Sequence, residues 1–209
     1  MKLNQISTLA SLALAAGSLN AATVVQIDFG AGVSPVQSGF TAQTSASAGY
    51  ATDAGDITVA SNGSFFNRTA QQSYTDAALM GDFTFVNNLA TNALTLTING
   101  AGISESTDYE ITFYSYDSQH GSGGGTVSYA GLLGTTGSTS INYSNSLTSN
   151  SATATWTSDG SGVLTIGVSG TNEGPRISGM EITVVPEPSS FALLAGCFGL
   201  TWVMLRRRG

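Results

Sequence analysis

The residues that could do chemistry are few. The 209-residue chain has one histidine, His120, and it opens the stretch Gly121-Ser122-Gly123-Gly124-Gly125. A Ser-His-Asp triad needs its histidine held rigidly by packing, and a histidine entering a glycine run reads as a solvated loop residue. No G-x-S-x-G, H-E-x-x-H or P-loop pattern occurs. Gly123 to Gly125 lack the lysine and helix start of a phosphate cradle. Paired carboxylates serve glycoside hydrolysis, but Glu105 and Asp108 flank a turn and Asp53 and Asp56 share a loop, where solvated turn residues are expected. A loop calcium site would draw on Asp28, Asp53 and Asp56, yet the D-x-D-x-D-G spacing is absent. A single cysteine supplies neither a disulfide framework nor a thiolate metal cluster. The sequence therefore predicts no catalytic residue, no metal and no cofactor.

Sugar binding asks for aromatic platforms with a few polar groups. Tyr114, Tyr116, Asp117 and His120 gather at one strand end and its loop, and Arg176 is a further residue unusual without a use. Tyr116, Asp117, His120 and Arg176 are the candidate ligand-binding set. Trp156 alternates with alanines and reads as core. Thr95/Thr97 and Thr153/Thr155/Thr157 fall short of an ice-binding plane, because no repeat of fixed period accompanies them. The β-propensity of threonine accounts for them.

The elements that must carry these residues are strands. Val25, Ile27 and Phe29 alternate, as do Leu94, Leu96 and Ile98; Tyr109, Ile111 and Phe113; Ala152, Ala154 and Trp156; Leu164, Ile166 and Val168; and Met180, Ile182 and Val184. Shorter candidates are 57–60, 64–67, 83–86, 126–130 and 139–143, and residues 71–80 offer one short helical turn. Turn signals stand at Asn99-Gly100, 121–125, 159–162 and 172–175. Asp159-Gly160 between two alternating runs predicts a hairpin. About nine to eleven strands with one-sided apolar faces predict an all-β fold, a single antiparallel β-sandwich of jelly-roll type over residues 23–185.

Both ends read as addresses. Residues 1–22 have Lys2, an apolar run from Ile6 to Ala16 and small residues at Ala21 and Ala22, the pattern of a secretory signal peptide. Residues 189–205 are seventeen positions without a charge, followed by Arg206, Arg207 and Arg208. That is the length of a minimal transmembrane helix with its flank held in the cytoplasm. Pro186, Glu187 and Pro188 precede it in a stiff extended stretch. A Pro-Glu-Pro triplet, an apolar span and a terminal arginine cluster, in this order over 186–209, resemble the PEP-CTERM sorting signal of bacterial secreted proteins. The resemblance implies that an exosortase recognises Pro186, Glu187 and Pro188 and processes the chain nearby. It also implies delivery to the cell surface or extracellular matrix. Ile27-Asp28-Phe29-Gly30, the run Thr107 to Ser115, and Ile177 to Ile182 are similar in order to galactose-binding-like and malectin-like jelly rolls. That second resemblance implies a β-sandwich and a carbohydrate ligand.

Charge fits this division. The whole chain carries −7, but between residues 23 and 185 two arginines face twelve acids, a net −10. A sequence pI near 4.3 excludes a strongly basic nucleic-acid binder. The sole cysteine, Cys197, lies in the C-terminal apolar span. The expected protein is exported and non-enzymatic. It is anchored in the membrane until processed, with signal peptidase and an exosortase as processing partners. The alternatives are a carbohydrate-binding module for extracellular polysaccharide and a small secreted glycan hydrolase or lyase.

Overall fold

The computed structural model describes residues 23–32, 34–67, 79, 81–116, 125–143, 150–171 and 174–185. The expected signal peptide, sorting motif, membrane helix and arginine cluster lie outside them, as does the helical turn at 71–80 apart from Leu79. The unit Thr23–Val184 is all β among the described strands. These are β1 (Thr23–Phe29), β2 (Thr41–Gln43), β3 (Ser47–Tyr50), β4 (Ile57–Ser61), β5 (Ser64–Asn67), β6 (Asp82–Phe85) and β7 (Leu94–Gly100). The chain continues through β8 (Asp108–Tyr114), β9 (Gly125–Leu132), β10 (Ser138–Tyr143), β11 (Ser151–Thr157), β12 (Leu164–Gly170), β13 (Arg176–Ile177) and β14 (Gly179–Val184). These fourteen strands exceed the nine to eleven expected, the additions being β2, β3 and β13.

Alternation builds the two large sheets. One has the order β11-β8-β14-β1-β2 and the other β10-β9-β12-β7-β4-β3. In the first, Ile27 pairs with Met180 and Met180 with Phe113, so the apolar rows of β1, β14 and β8 fall in register on one face. In the second, Val168 lies opposite Leu94, Ile166 opposite Leu96 and Leu164 opposite Ile98. The rows meet in one core that leaves Ile27, Phe113, Trp156, Leu96 and Ile166 fully buried. Trp156 crosses Phe113 edge-on at 5.7 Å, the core role expected of it.

The two sheets are also stitched along both edges. At one edge Gln43, fully buried on β2, donates through Nε2 to the Val59 carbonyl of β4 at 3.1 Å and accepts from the Tyr50 hydroxyl of β3 at 2.9 Å. At the other, Thr136 and Thr157 exchange backbone hydrogen bonds of 3.1 and 3.0 Å.

Three expectations need correction. The sandwich is accompanied by a third sheet of order β13-β6-β5, because β6 pairs with β5 and β13 and with neither large sheet. The pairing is not wholly antiparallel: β2 runs parallel to β1, with Ile27 opposite Thr41. Residues 30–40 supply the long return that a parallel neighbour requires. Asp159-Gly160 does not close a hairpin, for β11 pairs with β8 in one sheet and β12 with β7 and β9 in the other. The turn itself is well made. Asp159 Oδ1 accepts from the backbone N–H groups of Ser161 at 2.8 Å and Val163 at 2.9 Å. Turn chemistry fixes a reversal, whereas Trp156 and Leu164 both point into the core from opposite layers, and that sends the two strands to different sheets.

Candidate functional site

The register of β1 and β14 sorts the domain into two ends. Thr23 lies opposite Thr183, so entry and exit of the unit stand side by side. At the other end of the same strands, Asp28 lies opposite Gly179 and Gly179 opposite Tyr114. There the chain turns through Gly30, Ser115, Tyr116, Ser178 and the small third sheet.

Of the candidate ligand residues, Tyr116 and Arg176 are brought together at this distal end, while Asp117 and His120 lie outside the described residues. The Ser115 hydroxyl donates to the Arg176 carbonyl at 3.0 Å, and the Tyr116 N–H donates to the Ser178 hydroxyl at 3.2 Å. Both side chains face inward: Tyr116 is 4% exposed and Arg176 fully buried. The Arg176 guanidinium stands 5.8 Å from the Phe83 ring centre and 5.4 Å from that of Phe85, a cation–π arrangement. Phe66 stacks on Phe83 at 5.8 Å and meets Phe85 edge-on at 5.8 Å. Phe66 remains 40% exposed, so the aromatic cluster has a solvent-facing ring over an arginine-backed base. Tyr114 lies on the outer face of the five-stranded sheet. Its hydroxyl donates to Glu181 Oε2 at 2.6 Å, Gln26 Nε2 donates to Glu181 Oε1, and Phe40 crosses the Tyr114 ring at 6.0 Å.

The same end holds a carboxyl pair that the sequence did not reveal. Asp28 ends the polar row of β1 and Asp82 begins β6, and each is 2% exposed. Asp53 and Asp56 are exposed and take no part. The Gln37 N–H donates to Asp28 Oδ2 at 2.7 Å. Asp28 Oδ1 and Asp82 Oδ1 are buried without a hydrogen-bond partner, and the Ser34 hydroxyl stands beside them. They line a cavity of about 70 Å³ with Gly30 and Thr44. A Cβ on Gly30 would fall 1.9 Å from Asp82 Oδ2, so glycine is what admits that carboxylate here. Burial pushes the Asp28 carboxyl up to about 6, offset in part by the Gln37 N–H and by a hydrogen bond with the Asp82 carboxyl. Burial likewise pushes Asp82 up to about 7, with the Asp28 charge adding to the rise and the Ser34 hydroxyl opposing it. Among the described residues no basic side chain lowers either group. The arrangement can retain a proton or gather positive charge. The clue available in the sequence was Gly30 two residues after Asp28; nothing marked Asp82 as its partner.

No protein-family model matches the chain, and no curated protein matches it. Similar solved structures include Bacteroides uniformis β-glucuronidase 2, 10% identical with a TM-score of 0.48, over 78% of this chain and 18% of that one. The chain thus spans less than a fifth of that enzyme's length. Another is the CBM22-1 xylan-binding domain of Paenibacillus barcinonensis Xyn10C, 7% identical with a TM-score of 0.43, over 82% of this chain and 99% of that one. A third is the CBM22-1-GH10 portion of Clostridium thermocellum endo-1,4-β-D-xylanase 10B, 11% identical with a TM-score of 0.37, over 62% and 26% of the two chains.

Proposed function

We propose that the protein is an exported bacterial surface or matrix protein, sorted through its PEP-CTERM-like tail, whose β-sandwich is a non-catalytic display module. The observation that carries this reading is the side-by-side placement of Thr23 and Thr183. A domain entered and left at one end can hang from a processed tail and present its opposite end outward. Removal of the signal by signal peptidase and processing of the tail by an exosortase are what the resemblance of the terminal sequences implies. The test is mass spectrometry of the mature protein from an exosortase-bearing host, beside the same host without the enzyme. Loss of the tail near Pro186 is expected in the first host alone, and Glu187→Ala should retain the tail. A surface-released protein with its tail intact would count against the proposal.

A second reading, a polysaccharide-binding module, is favoured by the distal aromatic cluster, where Phe66 offers an exposed ring beside Phe85 and Arg176. Rings of this kind stack on the apolar faces of sugars while nearby polar groups orient them. A glycan array probed with the full chain is expected to give a hit that Phe66→Ala removes without loss of fold by circular dichroism. An array without any hit removes this reading and leaves the first untouched.

A further inference from the structure

Two Asn-Gly steps occur in the chain, Asn62-Gly63 and Asn99-Gly100, and the fold treats them differently. Such a step is prone to attack itself, because glycine has no side chain to shield the backbone nitrogen that follows the asparagine amide. Both asparagines are exposed. Exposure therefore does not separate them; hydrogen bonding does.

Asn62 is locked. Its Nδ2 donates to the Ala93 carbonyl at 3.1 Å, and its Oδ1 accepts from the Thr95 N–H at 2.8 Å. The Gly63 N–H, the group that would attack, donates to the Ser61 hydroxyl at 3.1 Å. Electrophile and nucleophile are both held in place.

Asn99 has none of these restraints. Among the described residues no hydrogen bond holds its side-chain amide. The Ser61 N–H donates to the Ala46 carbonyl at 2.7 Å and so faces away from β7. Ladder bonds alternate along a strand, so Ile57 also faces β3, while Thr58 faces β7. Asn99 stands opposite Thr58, and Gly100 opposite Ile57. The Gly100 N–H is thereby turned away from β4 toward β12, and that pairing ends at Ile98 opposite Leu164. It lies past the end of both ladders. Nor can a shielding residue replace this glycine: its φ is +121°, and a Cβ would fall 2.4 Å from the Asp56 carbonyl oxygen.

We propose that Asn99 is a site of spontaneous deamidation in the folded protein, and that Asn62 is protected from it. The Gly100 nitrogen attacks the Asn99 side-chain carbonyl carbon and forms a new C–N bond. The side-chain nitrogen takes up the displaced proton and leaves as ammonia. Water then opens the resulting imide at either carbonyl, giving an aspartyl or an isoaspartyl residue. Reaching the attack geometry turns the Asn99 carbonyl and breaks its pairing with Thr58, an opening at a strand end, where local free energies are low. Ile98 faces the core, so the new negative charge at 99 lies on the outer face of the six-stranded sheet. The isoaspartyl form also lengthens the backbone where Gly100 already abuts Asp56.

The test ages the full chain at mildly alkaline pH, folded and in urea. Mass spectrometry with electron-transfer fragmentation follows both asparagines and separates aspartyl from isoaspartyl products. Folded wild type is expected to convert at Asn99 on the order of tenfold or more faster than at Asn62, the factor that extra hydrogen bonds to be broken would give. The two rates should converge in urea. On ion exchange, an acidic form should accumulate in folded wild type and be largely lost in Asn99→Ser. Equal conversion of the two asparagines in the folded chain overturns the proposal, because the bonds at Asn62 would protect nothing. Conversion of Asn99 confined to urea also overturns it, because the strand end would then be as closed as the ladder behind it. So does an acidic form that builds up equally in Asn99→Ser, since the reacting residue would lie elsewhere.

Discussion

Single atoms decide several properties of this domain. Gly30 and Gly32 flank the same bend, yet their surroundings are opposite: a Cβ at 30 would strike Asp82 Oδ2 at 1.9 Å, whereas one at 32 meets nothing within 4 Å. Gly30→Ala should cost about 1–3 kcal/mol, the scale of overpacking, and Gly32→Ala should stay within about 0.5 kcal/mol of wild type; urea midpoints would check both. Tyr50 and Tyr129 titrate on similar grounds. Burial raises both phenols above their ordinary value near 10. The folded state therefore keeps protons that the unfolded chain loses. Their contribution to stability is full below pH 10 and falls as pH rises beyond it. In an alkaline titration, two of the seven tyrosines should show tyrosinate absorbance only together with loss of near-UV circular dichroism. If all seven ionise while that signal persists, the burial argument for these phenols is wrong.

Elements follow from periodicity where the strand is long and one face is apolar. The rows on β1, β7, β8, β12 and β14 were legible because each repeats an apolar residue at every second position and buries it. β2, β3 and β13 were not, being three, four and two residues long, too short for a period to show. Their reason for pairing is tertiary. Gln43 on β2 is buried because Val59 and Tyr50 satisfy its amide, and no local pattern announces that contact. Gln43→Leu strips the Tyr50 hydroxyl of its acceptor inside the protein, so it should cost about 1–3 kcal/mol, read from the urea midpoint. A loss no greater than that of an exposed substitution such as Gly32→Ala would mean that this bridge contributes nothing. The Asp159 turn illustrates the converse limit: its residues specify a reversal and its capping hydrogen bonds, while the choice of sheet is made by core packing. The site was half visible for the same reason. Asp28 stands in the Ile-Asp-Phe-Gly run that ends β1, but Asp82 becomes its neighbour only once β6 has paired with β5 and β13.

At the scale of the whole molecule, the two ends of the sandwich differ in what they carry. One carries the paired strand termini, and the other carries the aromatic cluster and the carboxyl cavity. Because Thr23 and Thr183 are neighbours, a circular permutant joining 184 to 23 by a short flexible linker, with new termini opened between Leu89 and Ala90, should fold. Leu89 is 59% exposed, so the cut falls on the surface. A melting temperature within a few degrees of the equivalent linear domain is expected; failure to melt cooperatively would show that strand order, and not the adjacency of the ends, controls assembly.

The neighbourhood of β1 and β14 also imposes a timetable. Gln26 and Glu181 touch across 155 positions of sequence, so the first strand made waits for the last. A sheet with its centre divided between the two extremities has high contact order, and the loop that must close before it forms is nearly the whole domain. During synthesis β1 has no antiparallel neighbour until β14 emerges. A chain made from its N-terminus therefore completes this sheet only when its final strand is added, although the six-stranded sheet can pair beforehand.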